Sequence, residues 1–156
     1  MIGMRAFCLA ALCSASLGCG SSSSTPSVAG RWNVVFMSAA PQQGQPGEQT
    51  TFTVSLMQSG TALTGSVTSL VQASSCFPAN SPLSGAALSG QVTQGGEAIA
   101  NFEAAIQLSS AGATTNPLDL MGDLGATGGA GLYSLKSGVP PGCEFPSGTF
   151  TMNPLP

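Results

Sequence analysis

The sequence contains no histidine. That removes the Ser-His-Asp triads, the usual zinc sites and the commonest general base. Charge is nearly as scarce, with three Lys or Arg and six Asp or Glu residues. So few cations cannot form the basic patch that a nucleic-acid partner requires, and no nucleic acid is expected as a partner. There is no Cys-x-x-Cys pair and no Gly-x-Ser-x-Gly elbow leading into a helix. The run Gly125–Gly131, GATGGAG, lacks the Lys-Ser/Thr of a phosphate loop and no helix follows it. It reads as a glycine-rich turn, and Leu135–Gly138, LKSG, reads as a turn as well. Asp119 and Asp123 would stand about 14 Å apart along one face of a strand. A glycosidase pair needs ~5–9.5 Å, so these two read as solvated carboxylates on an outer face. No EF-hand spacing is present. The sequence therefore predicts no catalytic residue, no metal site and no cofactor, in a protein that is not an enzyme.

What is present begins with an address. Ala6–Leu17 is uncharged and mostly apolar, after a start that carries Arg5. It is shorter than the ~20 residues that span a bilayer, and it has the form of an export signal. Gly18 then places a small residue directly before Cys19. Residues 20–29, GSSSSTPSVA, form a Ser/Gly tether with one Pro. Gly18-Cys19 after the apolar run resembles the lipobox of bacterial lipoprotein signals. The resemblance implies that residues 1–18 are removed, that the Cys19 thiol is diacylglycerated, and that residues 19–29 tether a domain at 30–156 to a membrane. Gly20, not Asp, follows the cysteine, which by the same resemblance implies the outer membrane. Two or more acyl chains anchor a protein stably where one does not. An ordinary secretory signal cut after Ser14-Ala15-Ser16 is the alternative.

With the signal removed, Cys8 and Cys13 are lost and Cys19 carries lipid. Cys76 and Cys143 remain, an even pair in an oxidising compartment. Both lie in Pro-rich segments, SSCFPANSP and PPGCEFPSG, where two loops can meet without breaking a strand. No cation adjoins either residue to lower a thiol pKa, so the pair reads as a structural disulfide, worth about 4 kcal/mol on the chain-entropy model. The remaining charges are Arg31 and Lys136 against Glu48, Glu97, Glu103, Asp119, Asp123 and Glu144.

The domain itself is written in alternation, the signature of half-buried strands. GRWNVVFMS puts Trp32, Val34 and Phe36 on one face. TTFTVSLMQ does so with Phe52, Val54 and Leu56, and ALTGSVTSL with Leu63, Gly65 and Val67, across a short turn at Ser59–Ala62. AALSGQVTQ aligns Leu88, Gly90 and Val92, before a tight turn at Gln94–Glu97. AIANFEAAIQL is Ala-rich enough for a helix, yet Ala100, Phe102, Ala104, Ile106 and Leu108 alternate as in a strand. NPLDLMGDLG sets Leu118, Leu120, Gly122 and Leu124 against Asp119, Met121 and Asp123. LYSLKSG and GTFTM close the chain. About eight strands joined mostly by short turns predict an all-β, antiparallel up-and-down meander that closes into a barrel. A two-sheet β-sandwich is the runner-up.

Gly30-Arg31-Trp32 at the first strand, Leu63-Thr64-Gly65-Ser66-Val67, Leu88-Ser89-Gly90-Gln91-Val92 and Gly148-Thr149-Phe150 resemble the calycin superfamily, the lipocalins and avidin-like proteins, over residues 30–152. The resemblance implies a lipocalin-like barrel. Trp32 is expected to close one barrel end as a core aromatic. Two functions remain open. The small inward residues Gly65, Gly90, Ala100, Ala104 and Gly122 could leave a cavity for a small apolar ligand among Trp32, Phe36, Phe52, Phe102 and Leu120. Alternatively they let the strands close on a solid core, and the protein is a structural or protein-binding envelope lipoprotein, for example protease-inhibitor-like. Its contact surfaces would then be the Pro-rich segments 39–47 and 140–146.

Overall fold

Period-two alternation sets most of the strands, and β3 departs from it where its register against β2 shifts. A computed structural model describes residues 25–39, 47–96, 98–108 and 116–156. Residues 1–18, read above as a signal, Cys19, the stretch read as a tether up to residue 24, and residues 40–46 of the first Pro-rich segment lie outside the described residues. The strands are β1 (Gly30–Ser38), β2 (Gln49–Ser59), β3 (Ala62–Gln72), β4 (Ala87–Gln94), β5 (Ile99–Leu108), β6 (Asn116–Gly125), β7 (Gly128–Leu135) and β8 (Ser147–Pro154). Each pairs antiparallel with the next, and β8 returns to β1 from Trp32↔Pro154 to Ser38↔Gly148. The result is a closed eight-stranded up-and-down barrel, not a sandwich. Closure leaves no sheet edge for a chain with too few charges to guard one.

The residues that alternate in sequence share the inner face. Trp32, Val34, Phe36, Phe52, Val54, Leu56, Leu63, Val67, Leu88, Val92, Phe102, Ile106, Leu118, Leu120, Phe150 and Met152 are all buried. Each such side chain contributes roughly 1.5–3 kcal/mol by leaving water. The Ala-rich β5 is a strand because Ala100, Phe102, Ala104, Ile106 and Leu108 all turn inward. The outer face carries Thr51, Thr53, Ser55, Thr64, Ser89, Gln91, Thr149 and Thr151. Thr53 hydrogen-bonds there to Thr68 at 2.6 Å and to Ser69 at 2.7 Å. Apolar inside and hydroxylated outside is the reverse of a membrane-spanning barrel.

One expectation needs correction. The run Gly125–Gly131 is not one long turn. β6 continues to Gly125, β7 begins at Gly128, and Ala126-Thr127 alone make the turn. The glycines of β7 serve strand contact instead. A Cβ on Gly131 would lie 2.2 Å from the Met121 carbonyl oxygen and 2.7 Å from the Phe150 ring.

The barrel has two unlike ends. Among the described residues, one carries the tight connections 60–61 and 126–127, together with the approach to β1. Val28 lies in the stretch read as tether, yet it is fully buried there. Its amide donates to Gln58 Oε1 at 2.8 Å, and its carbonyl accepts from Trp32 Nε1 at 3.0 Å. Trp32 thus closes this end as a core aromatic. Among the described residues, the other end carries the connections 73–86 and 136–146. Cys76 in the first of these is bonded to Cys143 in the second, with Cα atoms 4.4 Å apart.

Candidate functional site

The five residues read as a ligand lining all point into the barrel. Trp32, Phe36, Phe52, Phe102 and Leu120 are each at most 3% exposed. The structure does not bring all five into one contact set. Trp32 stands at the tight-turn end, near Val28. Phe36 is the hub of the loop end. Its ring meets Phe52 edge-on at 4.8 Å, stacks on Tyr133 at 4.2 Å, and tilts against Phe150 at 6.5 Å. Phe102 meets Phe150 at 6.1 Å. These separations are those of aromatic rings in mutual contact. The rings fill the interior with one another.

The small inward residues act in the same direction. A Cβ on Gly90 would lie 2.1 Å from the Glu103 carbonyl oxygen and 2.6 Å from the Ala104 Cα. Neighbouring backbone already occupies that space. Small residues here let strands approach; they do not line a void.

The loop end is capped by the connection 73–86. Phe77 comes from a loop, yet it is 1% exposed. Its ring sits 5.7 Å from Phe36 and 6.3 Å from Tyr133. Leu83 from the same loop is fully buried. Tyr133 is held un-ionised, its pKa pushed up to about 12, first by burial and then by the negative charge of Glu48. Glu48 also accepts from the Ser75 amide at 2.8 Å and the Ser75 hydroxyl at 2.5 Å. A small cavity of about 100 Å³ lies beside Phe77 and the disulfide, bounded also by Ser81, Pro82, Leu108 and Leu135.

The large recess lies outside the barrel. It is a groove of about 980 Å³, open to solvent, that crosses β4, β5, β6, β7, β8 and β1. Strand register explains it. Gly90, Ala104, Leu120, Tyr133, Gly148 and Ser38 are successive cross-strand partners that turn inward or present little side chain, and they form its floor. On one side stands the row Gln91, Glu103, Met121, Leu132, Thr149 and Met37. The other side is mostly small, with Ser89, Ala105, Asp119, Ser134 and Ser147. Met121 is 62% and Leu132 64% exposed. Gln91 Nε2 donates to Glu103 Oε2 at 3.0 Å, and Lys136 pairs with Asp119 at 3.6 Å, both on the outer surface. Asp119 and Asp123 do lie on this outer face.

Sequence reasoning missed the groove and the Phe77 cap. The outward Met121, standing between two aspartates, was the available signal for the groove. Phe77 left none, because loops have no periodicity. Among the described residues no cluster of three metal-ligating side chains occurs. In comparisons with known proteins, no family model, curated protein or solved structure matches the chain.

Proposed function

We propose that this chain is a lipid-anchored, non-enzymatic protein of the bacterial cell envelope that binds a protein partner across the outside of a filled barrel. The observation that carries the reading is the placement of free space. The interior is taken up by Phe36, Phe52, Tyr133, Phe102 and Phe150, while the large recess is the outer groove. A small-molecule site normally buries most of its ligand's surface in a concavity. An open groove cannot do that, whereas an extended polypeptide needs only one covered side. The groove crosses six strands of a closed eight-stranded barrel and so curves round it, and a straight extended segment would cover the β6–β7 part, where Met121 and Leu132 stand. Its exposed Met121 and Leu132 beside Glu103, Asp119 and Lys136 give an apolar centre with a polar rim, the usual anatomy of a protein interface. Flexible methionine suits a surface that adapts to its partner. Lipidation at Cys19 would hold this surface at the outer membrane.

Two tests apply. A photo-crosslinking residue at position 121, in cells, should yield one discrete adduct whose peptide lies in an extended segment of an envelope protein. The same residue at position 64, outside the groove, should yield none. Equal labelling at both positions, or none at 121, would sink the groove reading. Separately, Cys19→Ser should leave the protein unacylated and released from membranes. Retention with acyl chains intact would contradict the anchor.

A further inference from the structure

The mouth of the barrel is closed by a loop, not by a strand, and few ties hold that loop down. Thr50 Oγ1 and Ser74 Oγ share a hydrogen bond at 2.6 Å, and Ser75 is bonded to Glu48. These fix the start of the loop. Gly85 and Ala86 exchange backbone hydrogen bonds with Val67 and fix its return. Between them, the backbone bonds Ser74–Phe77, Ser81–Pro78 and Ala86–Leu83 are internal to the loop. Residues 76–84 therefore rest on the barrel through two buried side chains, Phe77 and Leu83, and through the Cys76–Cys143 bond. Their seating is incomplete. The cavity of about 100 Å³ opens beside Phe77, and the buried Ser81 hydroxyl has no hydrogen-bond partner among the described residues. Close-packed interiors seldom tolerate either feature.

We propose that this loop is a lid, stapled by the Cys76–Cys143 disulfide, over a binding site for a flat, uncharged aromatic molecule, and that Phe77 occupies the site while the staple is closed. The site is the inner aromatic surface of Phe36, Phe52 and Tyr133. The un-ionised Tyr133 hydroxyl supplies a donor for one acceptor atom on the ligand. A dithiol opens the staple. Its thiolate attacks the Cys143 sulfur, which is the less buried of the two, and Cys76 departs as a thiolate. The second thiol of the reductant then displaces Cys143 and closes its own disulfide. Two electrons and two protons pass from the dithiol to the two cysteines. Ser74 and Ser75 stay tied and serve as the hinge. Phe77 then lifts off and is replaced by the ligand's ring.

The test uses the full mature chain and the uncharged fluorophore N-phenyl-1-naphthylamine. Oxidised protein should not bind it. After dithiothreitol the barrel should keep its circular dichroism and bind one probe per chain. Apparent affinity should rise about tenfold or more, since it scales with the fraction of open barrel. Cys76→Ser with Cys143→Ser should bind without reductant. Phe77→Ala should bind with the staple intact, which tests the site even if reduction loosens the fold. Met121→Ser with Leu132→Ser should leave probe binding unchanged, which separates this site from the outer groove. A folded reduced barrel that binds no probe overturns the proposal. So does equal binding by the oxidised form, collapse of the barrel on reduction, or a folded Phe77→Ala that stays empty.

Discussion

Replacing Phe36 by Ala tests whether the barrel is filled. Phe36 is 1% exposed and touches the rings of Phe52, Phe77, Tyr133 and Phe150. Its closest neighbours, at 4.2 and 4.8 Å, come from β7 and β2, so both sides of the barrel lose a partner at once. Truncating a ring in a close-packed site costs the transfer term plus the cavity left behind, about 3–5 kcal/mol. At a urea slope of ~1–3 kcal/mol per molar, the unfolding midpoint should drop by about 2 M. Thr151→Ala, on the exposed outer face of the neighbouring β8, should change stability by no more than about 0.5 kcal/mol. The assay is urea unfolding of the oxidised protein, followed by Trp32 fluorescence and by circular dichroism. A loss below about 1.5 kcal/mol for Phe36→Ala would mean that the ring already bordered empty space. The filled-barrel reasoning would then be wrong.

Other outcomes follow from the same structure. Gly90→Val drives a side chain into the Glu103 and Ala104 backbone and should cost about 1–3 kcal/mol by overpacking, whereas Gly96→Ala, with nothing within 4 Å, should be near neutral in the same urea assay. Tyr133 should reach its ionisation midpoint only at about pH 12 in the folded protein, while an unfolded tyrosine ionises near 10. Its raised pKa contributes stability that is intact below pH 10 and is lost as pH climbs toward 12, because the unfolded state gives up the proton first. A spectrophotometric alkaline titration checks this, and early ionisation without unfolding would refute it. Trp32, the chain's single tryptophan, is 3% exposed and should resist iodide quenching until the barrel unfolds.

The fold was legible because period-two alternation recurs from strand to strand, although it breaks in β3, where register shifts set Leu70 opposite Phe52. Even Ala100–Leu108, where helix propensity competes, is decided by which residues turn inward. Closure was the favoured reading over a β-sandwich, since a charge-poor meander could not easily protect open edges, and the barrel is closed. The Cys76–Cys143 bond followed from cysteine arithmetic and is present. Less legible was what the small inward residues do. Gly65, Gly90 and Gly122 suggest space in a string of letters, but in three dimensions the neighbouring strand moves in to within 2.1–2.2 Å of where a Cβ would sit. Absence of a side chain does not say whether void or backbone replaces it. The turn at Gly125–Gly131 misled for the same reason: glycine there serves strand contact as much as chain reversal. Phe77 and the outer groove depend on loop packing and on register between β4, β8 and β1, neither of which local periodicity encodes.

The most direct test is native mass spectrometry of the oxidised protein as isolated from cells. A filled and stapled barrel predicts a single species, two hydrogens lighter than the reduced chain, with no small-molecule adduct. A stoichiometric apolar adduct that is lost on denaturation would show a hollow barrel that carries a ligand, and would contradict the placement of function on the outer surface.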